Sequence, residues 1–183
     1  PWAAEVTKKR RDRMNIDSPG AHCLPTGLAS SGNLRPYRMV QTKDIIVIIE
    51  ESNDPPRQIY LDGRPHPDDP NPSYVGHSVG HWEGDTLVVD TVGLNDQVYI
   101  DNYRTPHTDK LHVVERFRMI DEGKTLEVNV RVEDPGAFTT PWNAIQRYRK
   151  TETQWEEMKC AENNEGYFGY DVVPLLQADK PDF

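Results

Sequence analysis

Residues 111–134 contain two runs, LHVVERFRMI and TLEVNVRVED, that alternate apolar and charged side chains on either side of DEGK. A period of two belongs to a strand with one wet face, and a helix with 3.6 residues per turn cannot sort this pattern. If DEGK is a four-residue loop, Ile120 faces Thr125. Counting outward then pairs Met119 with Leu126, Phe117 with Val128, Glu115 with Val130 and Val113 with Val132 on one face. The other face carries Arg118 opposite Glu127, Arg116 opposite Asn129, Val114 opposite Arg131 and His112 opposite Glu133, so opposite charges meet across the hairpin. A one-residue slip would mix the two sets, which specifies the register.

The rest of the chain is read in the same terms. YRMVQ and DIIVIIEE flank TKD as a hairpin, and RQIYLDG follows a Pro-Pro break. SVGHW and TLVVDTVGL flank EGD, with Gly84 suited to a positive φ in a short turn, and PWNAIQRYRK with TQWEEMKC makes a last hairpin. RPHPDDPNPS holds four prolines in ten residues and must be a loop. Residues 93–110 lack a clear period and form a long connection of the kind that carries function. A helix from Trp2 to Met14 and a Pro, Gly and Ser-rich segment precede the strands.

Eight or nine short strands, one helix and no βα alternation predict a mainly β fold, an antiparallel meander closed into a small β-barrel of the calycin or lipocalin kind, with a β-sandwich as the alternative. The 183 residues suit one domain. Within it, residues 1–36 form the helix and an irregular segment, 37–160 the barrel, and 161–183 a tail packed on the body by aromatic and Leu side chains.

A net charge of −9, with the basic run KKRRDR confined to residues 8–13, disfavours nucleic acid as a partner. The longest apolar run, IIVII at 45–49, is strand length, so no membrane span is expected. An oligomer stays possible. Cys23 and Cys160 permit one long-range disulfide in an oxidising compartment, or are two buried thiols. The chain begins at Pro1, as after removal of a leader or a trimming.

The hairpin register isolates Glu115 on the apolar face among Val113, Phe117, Val128, Val130 and Val132. A buried carboxyl must find a partner or take up a proton. It is therefore either a general acid or base in a pocket or one half of a buried pair with an Arg, His or Tyr from another strand. His77 and His81, four apart on a strand, lie roughly 13 Å from each other and would each need other ligands to hold a metal. His77 is expected to face the interior with Val79, with Asp90 a possible neighbour. His107, in the long loop with Asp101, Tyr103 and Arg104, could fold over the barrel mouth or bond only to backbone. His112 faces Glu133 as an exposed pair of little energetic weight. The candidate catalytic groups are thus Glu115, His107, His77 and Asp101, and the candidate substrate-binding groups Tyr103, Arg104, Phe117, Val128, Val130, Trp82 and Trp142. There is no HExxH, CxxC, calcium-loop, GxSxG, P-loop or dinucleotide pattern, so no cofactor is expected and no metal ligand is assigned.

The segments RQIYLDGRPHP, PSYVGHSVGHWEGDTLVVDTVGL, PHTDKLHVVERFR, VEDPGAFTTPW and CAENN resemble a group of mostly uncharacterised bacterial proteins, small, β-rich and predicted to be exported. The resemblance spans nearly the whole chain. It implies an exported origin, hence a Cys23 to Cys160 disulfide, and a lipocalin-like barrel, and it brings no reaction with it. Titratable groups aimed at an apolar interior point to a cofactor-independent enzyme of lyase, isomerase or hydrolase type acting on a small organic molecule. The alternatives are a non-catalytic binding protein for an apolar or aromatic ligand and a metal-dependent hydrolase with His, Asp and Glu ligands.

Overall fold

A computed structural model of the chain describes residues 2–13, 18–28, 36–52, 54–101 and 103–156. Helix α1 (Trp2–Asp12) and a 3-10 turn (Pro19–His22) precede eight strands: β1 (Tyr37–Gln41), β2 (Ile45–Glu50), β3 (Arg57–Tyr60), β4 (His77–Glu83), β5 (Thr86–Val92), β6 (His112–Ile120), β7 (Thr125–Glu133) and β8 (Trp142–Arg149). They form one sheet in chain order. The sheet curls into a half-barrel, and the rings of Tyr37 on β1 and Tyr148 on β8 meet edge-on at 4.9 Å across the open side.

The β6–β7 ladder runs from His112 opposite Glu133 to Ile120 opposite Thr125, the register that charge and hydrophobicity predict. Asp121 and Glu122 turn the corner with φ of 51° and 56°, and Gly123 follows at 82°. The EGD turn is also as expected, with Glu83 paired to Thr86 and Gly84 at φ 63°.

Two features differ from expectation. The sheet is half-open rather than closed, and one neighbouring pair, β3–β4, is parallel. The parallel pair arises because the proline-rich residues 61–76 do not turn back as a hairpin. They cross over and deliver β4 in the direction of β3, with Ser73 bridging Leu94 on the way. Gly76 ends the crossover at φ 67°, where an added Cβ would lie 2.6 Å from the Val92 carbonyl oxygen. No strand forms over residues 151–156, so the expected last hairpin is half present there. Residues 157–160, the tail 161–183 and Met14 lie outside the described residues.

The concave face holds the core. Ile46, Ile48, Ile59, Leu87, Val89, Phe117 and Val128 form one buried cluster, and Leu28, Leu94, Ile100, Leu111, Val113 and Val132 a second. Each fully buried Leu, Ile or Val contributes about 1.5–3 kcal/mol. On β4 the inward positions are Ser78 and Gly80, and a Cβ on Gly80 would sit 2.8 Å from Ile59 Cγ2. The convex face is charged. Arg147 donates to Glu127 at 2.9 Å there, and Arg116 pairs with Glu83.

Candidate functional site

Glu115 points inward and is 5 % exposed, as its place in the alternation requires. Its partner comes from β3, where Arg57 shares the inward phase with Ile59 and is 6 % exposed. The Arg57 guanidinium pairs with the Glu115 carboxylate and donates to Thr91 Oγ1 at 2.9 Å and to Ser78 Oγ at 3.1 Å. The two hydroxyls are themselves 2.9 Å apart. Two charges removed from water are thus balanced by each other and by two hydroxyls, the condition under which a buried pair can persist. The buried pair with an Arg from another strand, one of the two roles open to Glu115, is present.

Beside the pair lies a cavity of about 30 Å³, touched by Phe117, Val128, Glu50 and Gln146 and roofed by Tyr37 and Tyr148. It is the size for water, not for a substrate. The Tyr37 hydroxyl is buried and has no hydrogen-bond partner among the described residues. Burial, with Tyr148 and the charges of Glu115 and Glu50 nearby, pushes its ionisation far above the usual phenol range. Burial and the same two carboxylates push Tyr148 up to about 12. Both are neutral donors at physiological pH.

On the far side of these tyrosines, between β1 and β8, opens a larger pocket of about 470 Å³. Tyr37, Tyr148, Met119 and Leu126 supply its apolar surface, and Arg38 lies over the Trp155 ring at 4.7 Å. Arg38, Lys124, Arg147, Arg149 and Lys150 line it against a single acidic side chain, Glu152.

The convex face carries a second cluster. His77 faces outward, not inward with Val79 as expected, because Ser78 and Gly80 occupy the inward phase of β4. Its Nδ1 is 2.8 Å from Nδ1 of His66, which the crossover carries back over the sheet. His66 Nε2 lies 3.1 Å from Asp90 Oδ1, and His112 Nε2 reaches the same oxygen at 2.8 Å. His112 is therefore tied to Asp90 more closely than to Glu133, whose oxygen is 4.0 Å from its Nδ1. Tyr60 stacks on His77 at 5.4 Å. Burial, then the neighbouring His66 and Arg64, hold the His77 imidazole below its ordinary range. Among the described residues no group of three His, Cys, Asp or Glu side chains has the spacing to hold a metal ion.

The other predicted residues do not converge on Glu115. His107 is 3 % exposed and bonded through Nδ1 to the Thr108 carbonyl at 2.9 Å, and its buried Nε2 has no partner among the described residues. Burial lowers its basicity. Asp101 ties its own loop, accepting from Tyr103 N at 2.8 Å and Thr105 Oγ1 at 2.8 Å. Arg104 donates to the Arg10 carbonyl at 3.3 Å, fastening α1 to that loop, and Tyr103 is 69 % exposed. Trp82 shares the inward phase of β4 with Ser78 and Gly80, opposite Leu87, yet is 49 % exposed, Trp142 packs edge-on against Phe138 at 6.0 Å, and Val130 is half-buried beside both cores. His81 is exposed and bonded to Glu83.

Arg57, Tyr37, Tyr148 and His66 are absent from the predicted set. Arg57 is in phase with Ile59, and Tyr37 with Met39, so period two marks both as inward. His66 has no such signal. The geometry defines a curled single-sheet protein with a buried ion pair at its centre and a basic pocket at its open side. No family model, curated protein or solved structure matches this chain.

Proposed function

We propose that this protein binds a small organic anion with an aromatic or apolar body in the mouth between β1 and β8. The observation that carries this is the 470 Å³ pocket with tyrosines at its base and five basic side chains around it. The volume falls in the range of about 300–1,000 Å³ typical of small-ligand sites. Arg147 is paired with Glu127 and Lys124 lies 3.9 Å from Glu122, so on a chain with net charge −9 it is Arg38, Arg149 and Lys150, against Glu152, that give the pocket a local positive field able to attract an anion. Arg149 and Lys150 have no ion-pair partner among the described residues. They are the cations a ligand carboxylate or sulfonate would neutralise, while the ring faces of Tyr148 and Trp155 take its apolar part.

The probe is 1-anilinonaphthalene-8-sulfonate, an aromatic sulfonate, titrated into the full chain by fluorescence. Saturable one-site binding that weakens with salt is expected, with at least a tenfold loss of affinity in Arg149→Glu/Lys150→Glu. Absence of saturable binding, or unchanged affinity in the double variant, refutes the assignment.

A second reading has one observation in its favour: Tyr37 and Tyr148 border both the mouth and the cavity beside Glu115. In it the protein is a cofactor-independent acid–base enzyme, of lyase, isomerase or hydrolase type, in which the Tyr37 phenol meets the ligand and Glu115 lies behind it. Tyr37→Phe separates the two. A binding protein keeps its ligand, while an enzyme keeps the ligand and loses turnover in a screen of aromatic carboxylates. An exported location and a Cys23 to Cys160 disulfide belong to the same proposal. Thiol labelling of the unreduced chain before mass spectrometry, with no label taken up, supports the bridge.

A further inference from the structure

We infer that His66 and His77 form a two-nitrogen binding site for a divalent copper-type ion on the convex face of the sheet. Asp90 is the first reason. Its carboxylate can only accept from His66 Nε2 at 3.1 Å, which puts the His66 proton on Nε2 and turns the Nδ1 lone pair toward His77. A histidine that binds a metal through one nitrogen characteristically donates its other N–H to a carboxylate, and His66 has that arrangement built in.

The spacing is the second reason. The two Nδ1 atoms are 2.8 Å apart and share a hydrogen bond in which, with the His66 proton on Nε2, His77 N–H donates to His66, and a bound ion takes the place of that proton. With bonds of about 2.0 Å, neighbouring nitrogens on a square-planar ion lie roughly 2.8 Å apart, and on a tetrahedral ion roughly 3.3 Å. The pair therefore fits a tetragonal ion, and copper(II) heads the affinity order for imidazole donors. His77 must present a lone pair at Nδ1 as well. A neutral imidazole does so when its proton sits on Nε2, and binding of the ion drives that shift.

The third reason is rigidity. His77 is held by the β4 backbone and by Tyr60 stacked on its ring, and His66 is braced by Asp90, which His112 braces in turn at 2.8 Å. The donors are fixed before an ion arrives, so little side-chain entropy is lost on binding. No third side chain closes the sphere among the described residues, so water completes it. The site lies apart from the mouth pocket and shares no residue with it.

Copper(II) chloride titrated calorimetrically into the full chain, in a buffer that does not bind metals, should show one ion per chain. The electron paramagnetic resonance spectrum should be axial, with splitting from two equivalent imidazole nitrogens. His77→Ala and His66→Ala should each abolish the two-nitrogen signal, Asp90→Asn should weaken binding by 10- to 100-fold, and His81→Ala should change nothing. Failure of the wild-type chain to take up copper overturns the inference. So does a copper signal that survives unchanged in both His66→Ala and His77→Ala.

Discussion

At the scale of single residues, the molecule turns on Glu115 and Arg57. Removing one member of a buried ion pair leaves the other charged without compensation and costs about 3–5 kcal/mol, whereas replacing both with apolar side chains of similar size can be close to neutral. Arg57→Met and Glu115→Leu singly should therefore lower the urea midpoint sharply, and the double variant should recover most of the loss. A double variant as unstable as the sum of the two would show that the pair is not coupled. The inward orientation of Glu115 is legible in the sequence because β6 and β7 are each nine residues long, and both phase together. Arg57 sits in a strand of four residues where Ile59 is the one buried apolar marker of phase. Its partnership with Glu115 is a contact between β3 and β6 that no local pattern encodes. Tyr37→Phe, by contrast, removes a hydroxyl that bonds to nothing among the described residues and should leave stability intact.

At the scale of elements, the short hairpins are legible and the crossover is not. Glu83-Gly84-Asp85-Thr86 and the DEGK loop carry their turn chemistry and the register of their strands within a few residues. Residues 61–76 carry prolines and no period, so nothing local says that they return over the sheet and set β4 parallel to β3. The placement of His66 beside His77 follows from that return alone, which is why the convex cluster was invisible to pattern. Gly76 is the hinge of the crossover. Gly76→Ala places a side chain at φ 67° and a Cβ against the Val92 carbonyl oxygen at 2.6 Å. A left-handed conformation alone costs about 1–2 kcal/mol, so a loss of about 2 kcal/mol or more is expected in chemical denaturation. Gly63, also at positive φ but with nothing within 4 Å, is the internal control and should lose less when changed to Ala.

At the scale of the whole molecule, stability should form a dome against pH. His77 and His107 are held below the ordinary imidazole range, chiefly by burial, so the unfolded chain binds protons first as pH falls through about 6.5 and the folded state loses ground. Tyr37 and Tyr148 are raised, so the unfolded chain loses its phenolic protons first as pH climbs past about 10, and stability falls again up to about 12. Urea midpoints measured from pH 5 to 11 should drop at both ends, with the alkaline drop reduced in Tyr148→Phe. A flat profile at both ends would contradict these environments. The mainly β class was legible from the strand periods, but openness was not, because closure depends on strand tilt and stagger across the whole sheet. That openness also bears on how the chain folds. Each ladder joins strands that are consecutive in the chain, so the sheet can zip outward from its tight turns, and its two outermost strands meet only when both ends are laid down. A molecule held by Tyr37 on one and Tyr148 on the other recognises nothing earlier than the finished fold. It would act as a clasp, adding stability in proportion to the logarithm of its concentration above its dissociation constant.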